Sequence, residues 1–125
     1  MEQKISSKQL AQRICKALSE KRGRDIVTLY VRERTALCDY FVIASASNAP
    51  QIRAMGERVE EVIAKECGID STRTEGVRDG RWGVIDYGDV IVHIFNDDTR
   101  LFYHLERLWS DGDNMEKYVE ETPEN

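Results

Sequence analysis

Residues 82–109, WGVIDYGDVIVHIFNDDTRLFYHLERLW, read as strand, tight turn, strand and helix. Gly88-Asp89 is a two-residue loop between two runs of strand-forming residues, the strongest short hairpin signal in the chain. That loop sets the register. Tyr87 faces Val90, Ile85 faces Val92 and Gly83 faces Ile94 on an apolar face that belongs on the core. The other face pairs Trp82 with Phe95, Val84 with His93 and Asp86 with Ile91. A hairpin apolar on one face and mixed on the other is expected to be half-covered. After it, Asn96 or Asp97 can cap a helix, with Asp97 and Asp98 placed for its dipole. Leu101, Leu105 and Leu108 recur at helical spacing, flanked by Phe102 and Trp109.

Upstream of the hairpin the same rules give the rest of the fold. Ser6 or Ser7 can cap a first helix with Leu10, Ile14, Ala17 and Leu18 as its apolar stripe, ended by Gly23. Residues 25–31, DIVTLYV, alternate and are rich in β-branched side chains, so they form a strand. Residues 41–45 are a nearly continuous apolar strand, which belongs in the middle of a sheet. Ser47 or Asn48 caps the next helix, with Pro50 in its first turn and Ile52, Met55, Val59, Val62 and Ile63 on one face. Gly68 stops it. Residues 71–75 form a short edge strand, and 76–81 a charged loop. The order is α-β-β-α-β-β-β-α, an α/β (α+β) single domain with a mixed sheet of about five strands and flanking helices.

With 125 residues the chain can bury a core without disulfides or metal. No run approaches the roughly 20 apolar residues of a membrane span. The N-terminal MEQKISSKQL lacks the apolar centre of a secretory signal. Cys15, Cys38 and Cys67 are odd in number and make no CxxC pair, so they read as free buried thiols in a reducing cytoplasm. The net charge of −5 is uneven: residues 110–125 hold six acidic side chains against Lys117. The domain therefore ends at residue 109, is neutral, and is poorly suited to gripping nucleic acid through phosphate. Residues 110–125 read as an acidic, mobile tail, although 115–119 could extend a helix.

Few residues suggest chemistry. The turn SASNAP, residues 45–50, offers backbone N–H groups at a helix start, which can hold phosphate or simply cap the helix. It has neither the glycines nor the lysine of a Walker loop. Asp86 and Asp89 lack a third acid for a two-metal centre. His93 lies diagonally near Asp86, but no serine or cysteine completes a triad, so His93 reads as a polar surface or interface residue. Trp82, Phe95, Tyr103 and Trp109 gather around the hairpin and last helix. Phe102 and Leu105 are expected in the core, whereas Trp82 and Phe95 form an exposed aromatic patch with Arg100, His104 and Arg107 at its rim.

The run DYFVIA at 39–44, Glu75-Gly76, Trp82, DYGDV at 86–90, VHIF at 92–95, Arg100, Tyr103, and LE with LW between 105 and 109 resemble the ribosomal silencing factors, the RsfS or Iojap-like proteins. The resemblance covers about residues 5–109. It departs at 46–50, where relatives carry a Thr-Gly-x-Ser-Ser-like run. It implies a nucleotidyltransferase-like fold without that superfamily's catalytic acids: no enzyme, cofactor or metal. It further implies a cytoplasmic protein, homodimeric when free, that binds large-subunit ribosomal protein fourteen. Such a protein would block joining of the small subunit and repress translation under nutrient limitation. Neither membrane nor sequence-specific nucleic-acid binding is expected. Trp82, Phe95, Tyr103 and Trp109 would be the anchors, with Asp89, His93, Arg100 and Glu106 as polar contacts. The alternative is a divergent, metal-dependent nucleotidyltransferase-like enzyme, with nucleotide phosphate at Ser45–Gln51 and magnesium on Asp86 or Asp89.

Overall fold

In the computed structural model, which describes residues 5–119, the hairpin forms in the expected register. Strands β4 (Trp82–Asp86) and β5 (Val90–Asn96) pair antiparallel, with Trp82 opposite Phe95 and Ile85 opposite Val92. Gly88 sits at φ 87°, a left-handed conformation that suits glycine, and its N–H donates to Asp86 Oδ1 at 2.8 Å. The Tyr87 N–H closes the turn on the Val90 carbonyl at 2.9 Å.

Around this hairpin run α1 (Ser7–Glu20), β1 (Arg24–Tyr30), β2 (Tyr40–Ala46), α2 (Ala49–Cys67) and β3 (Arg73–Glu75). Sheet order is β3-β4-β5-β2-β1, and β2 pairs with β5 in parallel while the other pairs are antiparallel. The apolar run of β2 is central and almost wholly buried, and the short β3 is an edge. Ser6 and Gln9 form a reciprocal capping box on α1. Asn48 Oδ1 caps α2 through the Gln51 N–H at 2.9 Å, and Gly68 at φ 67° ends it.

Both long helices cover one face of the sheet. Leu10, Ile14, Leu18, Ile52, Met55, Val59 and Ile63 pack there against Val42, Ala44, Ile85, Val92 and Ile94. Each such Leu or Ile, fully buried, contributes about 1.5–3 kcal/mol. Gly76 holds the 76–81 loop against the hairpin: its φ is 75°, and a Cβ there would overlap the Trp82 carbonyl.

Three expectations need correction. The sheet has six strands, because β6 (Met115–Lys117) pairs antiparallel with β1. The supposed tail thus enters the fold at least to Tyr118, which packs on the main core; residues 120–125 lie outside the described residues. Second, the last helix is broken. It is α3 (Asp97–Tyr103) followed by α4 (Leu105–Trp109), with His104 left-handed at φ 47° between them. The break shifts the helical phase, so Leu105 and Trp109 meet the sheet while Leu101, Phe102 and Leu108 are exposed. Phe102, expected in the core, is 80 % exposed.

The third correction concerns the mixed face of the hairpin, which carries a second core of Val27, Leu29, Val31, Cys38, Phe41, Ile43 and Phe95. Trp82, Ile91, Leu105 and Trp109 pack against it, partly buried. Cys15 and Cys38 are free and buried; Cys67 is only half-buried. Burial pushes the Cys15 thiol up to about 12 and, with help from Asp39, Asp86 and Asp89, Cys38 to about 11. Neither is a thiolate near neutrality.

Candidate partner-binding surface

Trp82 begins β4 beyond the end of β3, so no neighbouring strand side chain shields it on that side. Its indole stacks on Phe95 at 4.9 Å between ring centres, and Tyr103 of α3 leans on it at 4.6 Å. Phe102 meets Tyr103 edge-on at 5.1 Å. From Trp82 the aromatic chain continues inward through His93 to Phe41, and Trp109 stands edge-on to Phe41 at 5.2 Å. The chain thus surfaces at Phe102 and Tyr103 at one end and at the half-buried Trp109 at the other.

Its middle does not surface. Phe95 is fully buried and His93 is 8 % exposed, so neither forms the exposed patch expected from the sequence. Residues 82 and 95 share a face as expected, but that face is roofed by α3 and α4. His93 makes no pair with Asp86, whose carboxylate caps the hairpin turn. Instead His93 Nδ1 accepts the Trp82 indole N–H at 3.0 Å. Burial among aromatic rings pushes the imidazole down to about 4, so it is neutral at pH 7.

The expected polar contacts separate in the same way. Arg100 and Glu106 pair with each other at 2.7 Å, with side chains 11 % and 17 % exposed. Arg100 also donates to Ser45 Oγ at 2.8 Å. This ion pair braces α3 against α4 across the His104 break. Asp89 alone of the four is fully at the surface, and its carbonyl accepts the N–H groups of Asp39 and Tyr40 at 2.8 and 3.1 Å.

Leu101 and Leu108, 76 % and 65 % exposed, were missed as surface residues because their spacing fits a buried stripe. A signal was available: residues 101–103, 105, 108 and 109 are apolar or aromatic around more of the helix than one core face uses.

At the 45–51 turn, Arg24 bonds both Ser47 Oγ at 3.1 Å and the Asp97 carboxylate at 3.0 Å. Gln51 Oε1 takes the Ser47 N–H at 2.6 Å, and Asn48 Oδ1 the Gln51 N–H at 2.9 Å, so two of the donors at this helix start are already engaged by side chains. Among the described residues, no group of three or more His, Cys, Asp or Glu side chains is arranged to hold a metal ion. No described helix is long and apolar enough to cross a membrane.

The family model described as "Ribosomal silencing factor during starvation" matches residues 4–125, which extends past residue 109, where the sequence resemblance stopped. A ribosomal silencing factor of Halalkalibacterium halodurans is 35 % identical over 112 residues, 90 % of this chain and 95 % of that protein. One from Bacillus subtilis is 36 % identical over 77 % of this chain and 80 % of its own length. A crystal structure of a Chromobacterium violaceum protein superposes with TM-score 0.82 at 28 % identity, covering 93 % of this chain and 95 % of that one. Another from Bacillus halodurans gives 0.72 at 35 % identity, covering 82 % and 94 %.

Proposed function

The chain belongs to the ribosomal silencing factor family, and from that premise we propose that it binds the large ribosomal subunit through ribosomal protein fourteen and sterically blocks joining of the small subunit. The observation that carries this reading is the aromatic chain that surfaces at Phe102 and Tyr103, with half-buried Trp82 under Tyr103, on the same two helices as exposed Leu101 and Leu108. Exposed aromatic and aliphatic side chains on a braced element are what a protein interface uses as anchors.

A blocker turns over no substrate and needs no cofactor. It needs an interface of ordinary size and bulk where the other subunit would sit. Trp82, Tyr103 and Trp109 are the direct contacts, with Asp89 on the hairpin turn as a polar one. Phe95, His93, Arg100 and Glu106 serve from beneath by holding that surface. The same surface closes a homodimer when the protein is free, so dimerisation and ribosome binding compete. The site of action is the cytoplasm, under nutrient limitation.

The test is direct. Purified protein is mixed with separated subunits and the joined fraction is read on a density gradient. Joining should fall as the protein saturates the large subunit. Unchanged joining at saturation would refute the proposal.

A further inference from the structure

We infer that His93 is a positioning residue for the partner surface: by accepting the indole N–H of Trp82 it selects the one ring orientation on which Tyr103 rests. The inference rests on the reading of Trp82 and Tyr103 as partner contacts.

The geometry requires a selector. Trp82 lies over Phe95 with 29° between the ring planes. Stacking of this kind holds an indole flat but tolerates rotation within its plane and a flip of the ring. A hydrogen bond from Nε1 does not, because only one orientation aims that N–H at an acceptor. His93 Nδ1 is the acceptor, at 3.0 Å. Tyr103 packs at 4.6 Å on the indole so fixed, and Phe102 packs on Tyr103, so the orientation is passed outward to exposed rings.

The cost of placing a histidine there supports the same conclusion. For Nδ1 to accept, the neutral ring must carry its proton on Nε2. Nε2 is buried and has no hydrogen-bond partner among the described residues. A buried N–H left unpaired is destabilising, and Phe41 and Phe95 make this an aromatic environment where phenylalanine would pack without that penalty. The polar feature that histidine adds here is its bond to Trp82.

Two substitutions separate positioning from packing. His93→Phe keeps an aromatic ring and loses the acceptor. His93→Asn places an oxygen near the Nδ1 position and loses most of the ring. Each is compared with wild type in urea unfolding, in hydrogen exchange of the Trp82 indole N–H by NMR, and in sedimentation with purified large subunits. If His93 positions Trp82, the orders cross. His93→Phe is the more stable variant yet binds about tenfold more weakly than wild type, the worth of one buried hydrogen bond. His93→Asn is less stable but binds within about threefold of wild type while folded. Indole exchange is fast only in His93→Phe. Affinities that follow stability, or slow indole exchange in His93→Phe, would overturn the inference. Failure of the wild type to bind large subunits would instead overturn the proposed function, and indole exchange would still decide the role of His93.

Discussion

Ending the chain at Ser110 removes β6, and the structure says what that costs. The Tyr30 N–H loses the Asn114 carbonyl at 2.9 Å, and the Ile26 carbonyl loses the Tyr118 N–H at 2.8 Å. Asn114 Nδ2 no longer ties the Tyr30 and Trp109 carbonyls, at 2.8 and 2.9 Å. The ladder from Val27–Lys117 to Leu29–Met115 goes with them. Each bond is worth about 1 kcal/mol net, but water replaces those at an edge, and ordering the lost residues had cost about 1 kcal/mol or more apiece. Most of the gain cancels. What remains is chiefly the burial of Tyr118 and the cover over Ile26 and Leu29, so the expected loss is about 2 kcal/mol. For a domain of this size that lowers Tm by roughly 10 °C, with unfolding still cooperative because the α1–α2 core loses only the partly buried Tyr118 from its margin. Urea and thermal unfolding of the two chains measure it. A Tm within about 2 °C of wild type would show that β6 contributes nothing. Loss of cooperative unfolding would show that the main core depends on it.

Three further outcomes follow from the site. Arg100→Ala strands the Glu106 carboxylate, one of whose buried oxygens already has no partner among the described residues; urea unfolding should show a loss of about 3 kcal/mol, and a loss below about 1 kcal/mol would mean the brace is dispensable. Phe102→Ala should leave stability within about 0.5 kcal/mol, because the ring is exposed, while weakening large-subunit sedimentation; equal affinity would remove Phe102 from the surface. Acid should act through His93, held down to about 4 in the fold against about 6.5 unfolded. Its stabilising effect is complete above the unfolded value and is lost as pH falls from there through the folded one, about 3 kcal/mol in all. The stability difference between wild type and His93→Phe, measured in urea at pH 7 and pH 4, should change by about that amount; a constant difference would mean His93 titrates normally.

How much was legible depended on the range of the interaction. The hairpin register, the Ser6 and Asn48 caps, the stop at Gly68 and the apolar stripes of α1 and α2 are set by neighbours within a few residues, and all are where the sequence puts them. What escaped depends on distant partners. Met115–Lys117 is too short to show a strand pattern and pairs only because β1 offers a free edge. The left-handed His104 carries no glycine to announce it; the Arg100–Glu106 pair spanning the break accompanies it. The burial of His93 and Phe95 could not be read from β5 alone, because Trp82 and Phe41 of the neighbouring strands pack on them, and Leu105 and Trp109 after the break close the cluster that holds Phe41 and Phe95.

That cover puts the proposed binding surface and a determinant of stability in one place. On the α1–α2 face, long helices seal the sheet with continuous apolar stripes. On the other face the roof is α3 and α4, seven and five residues long, too short to be stable alone. It is held by two ion pairs, Arg100–Glu106 within the roof and Arg24–Asp97 to the sheet, and by rings that run from the core to the surface, and it turns Leu101, Phe102 and Leu108 outward. Burying those side chains would add apolar contact on the outer side of a roof that already packs on its inner side. A partner seated there would therefore stabilise the roof as it binds, by its differential affinity for the ordered form. Amide hydrogen exchange separates this from a rigid surface: residues 97–109 should gain protection with large subunits present while α1 and α2 do not change. Equal protection of α3 and α4 in the free and bound protein would mean that the roof was already complete.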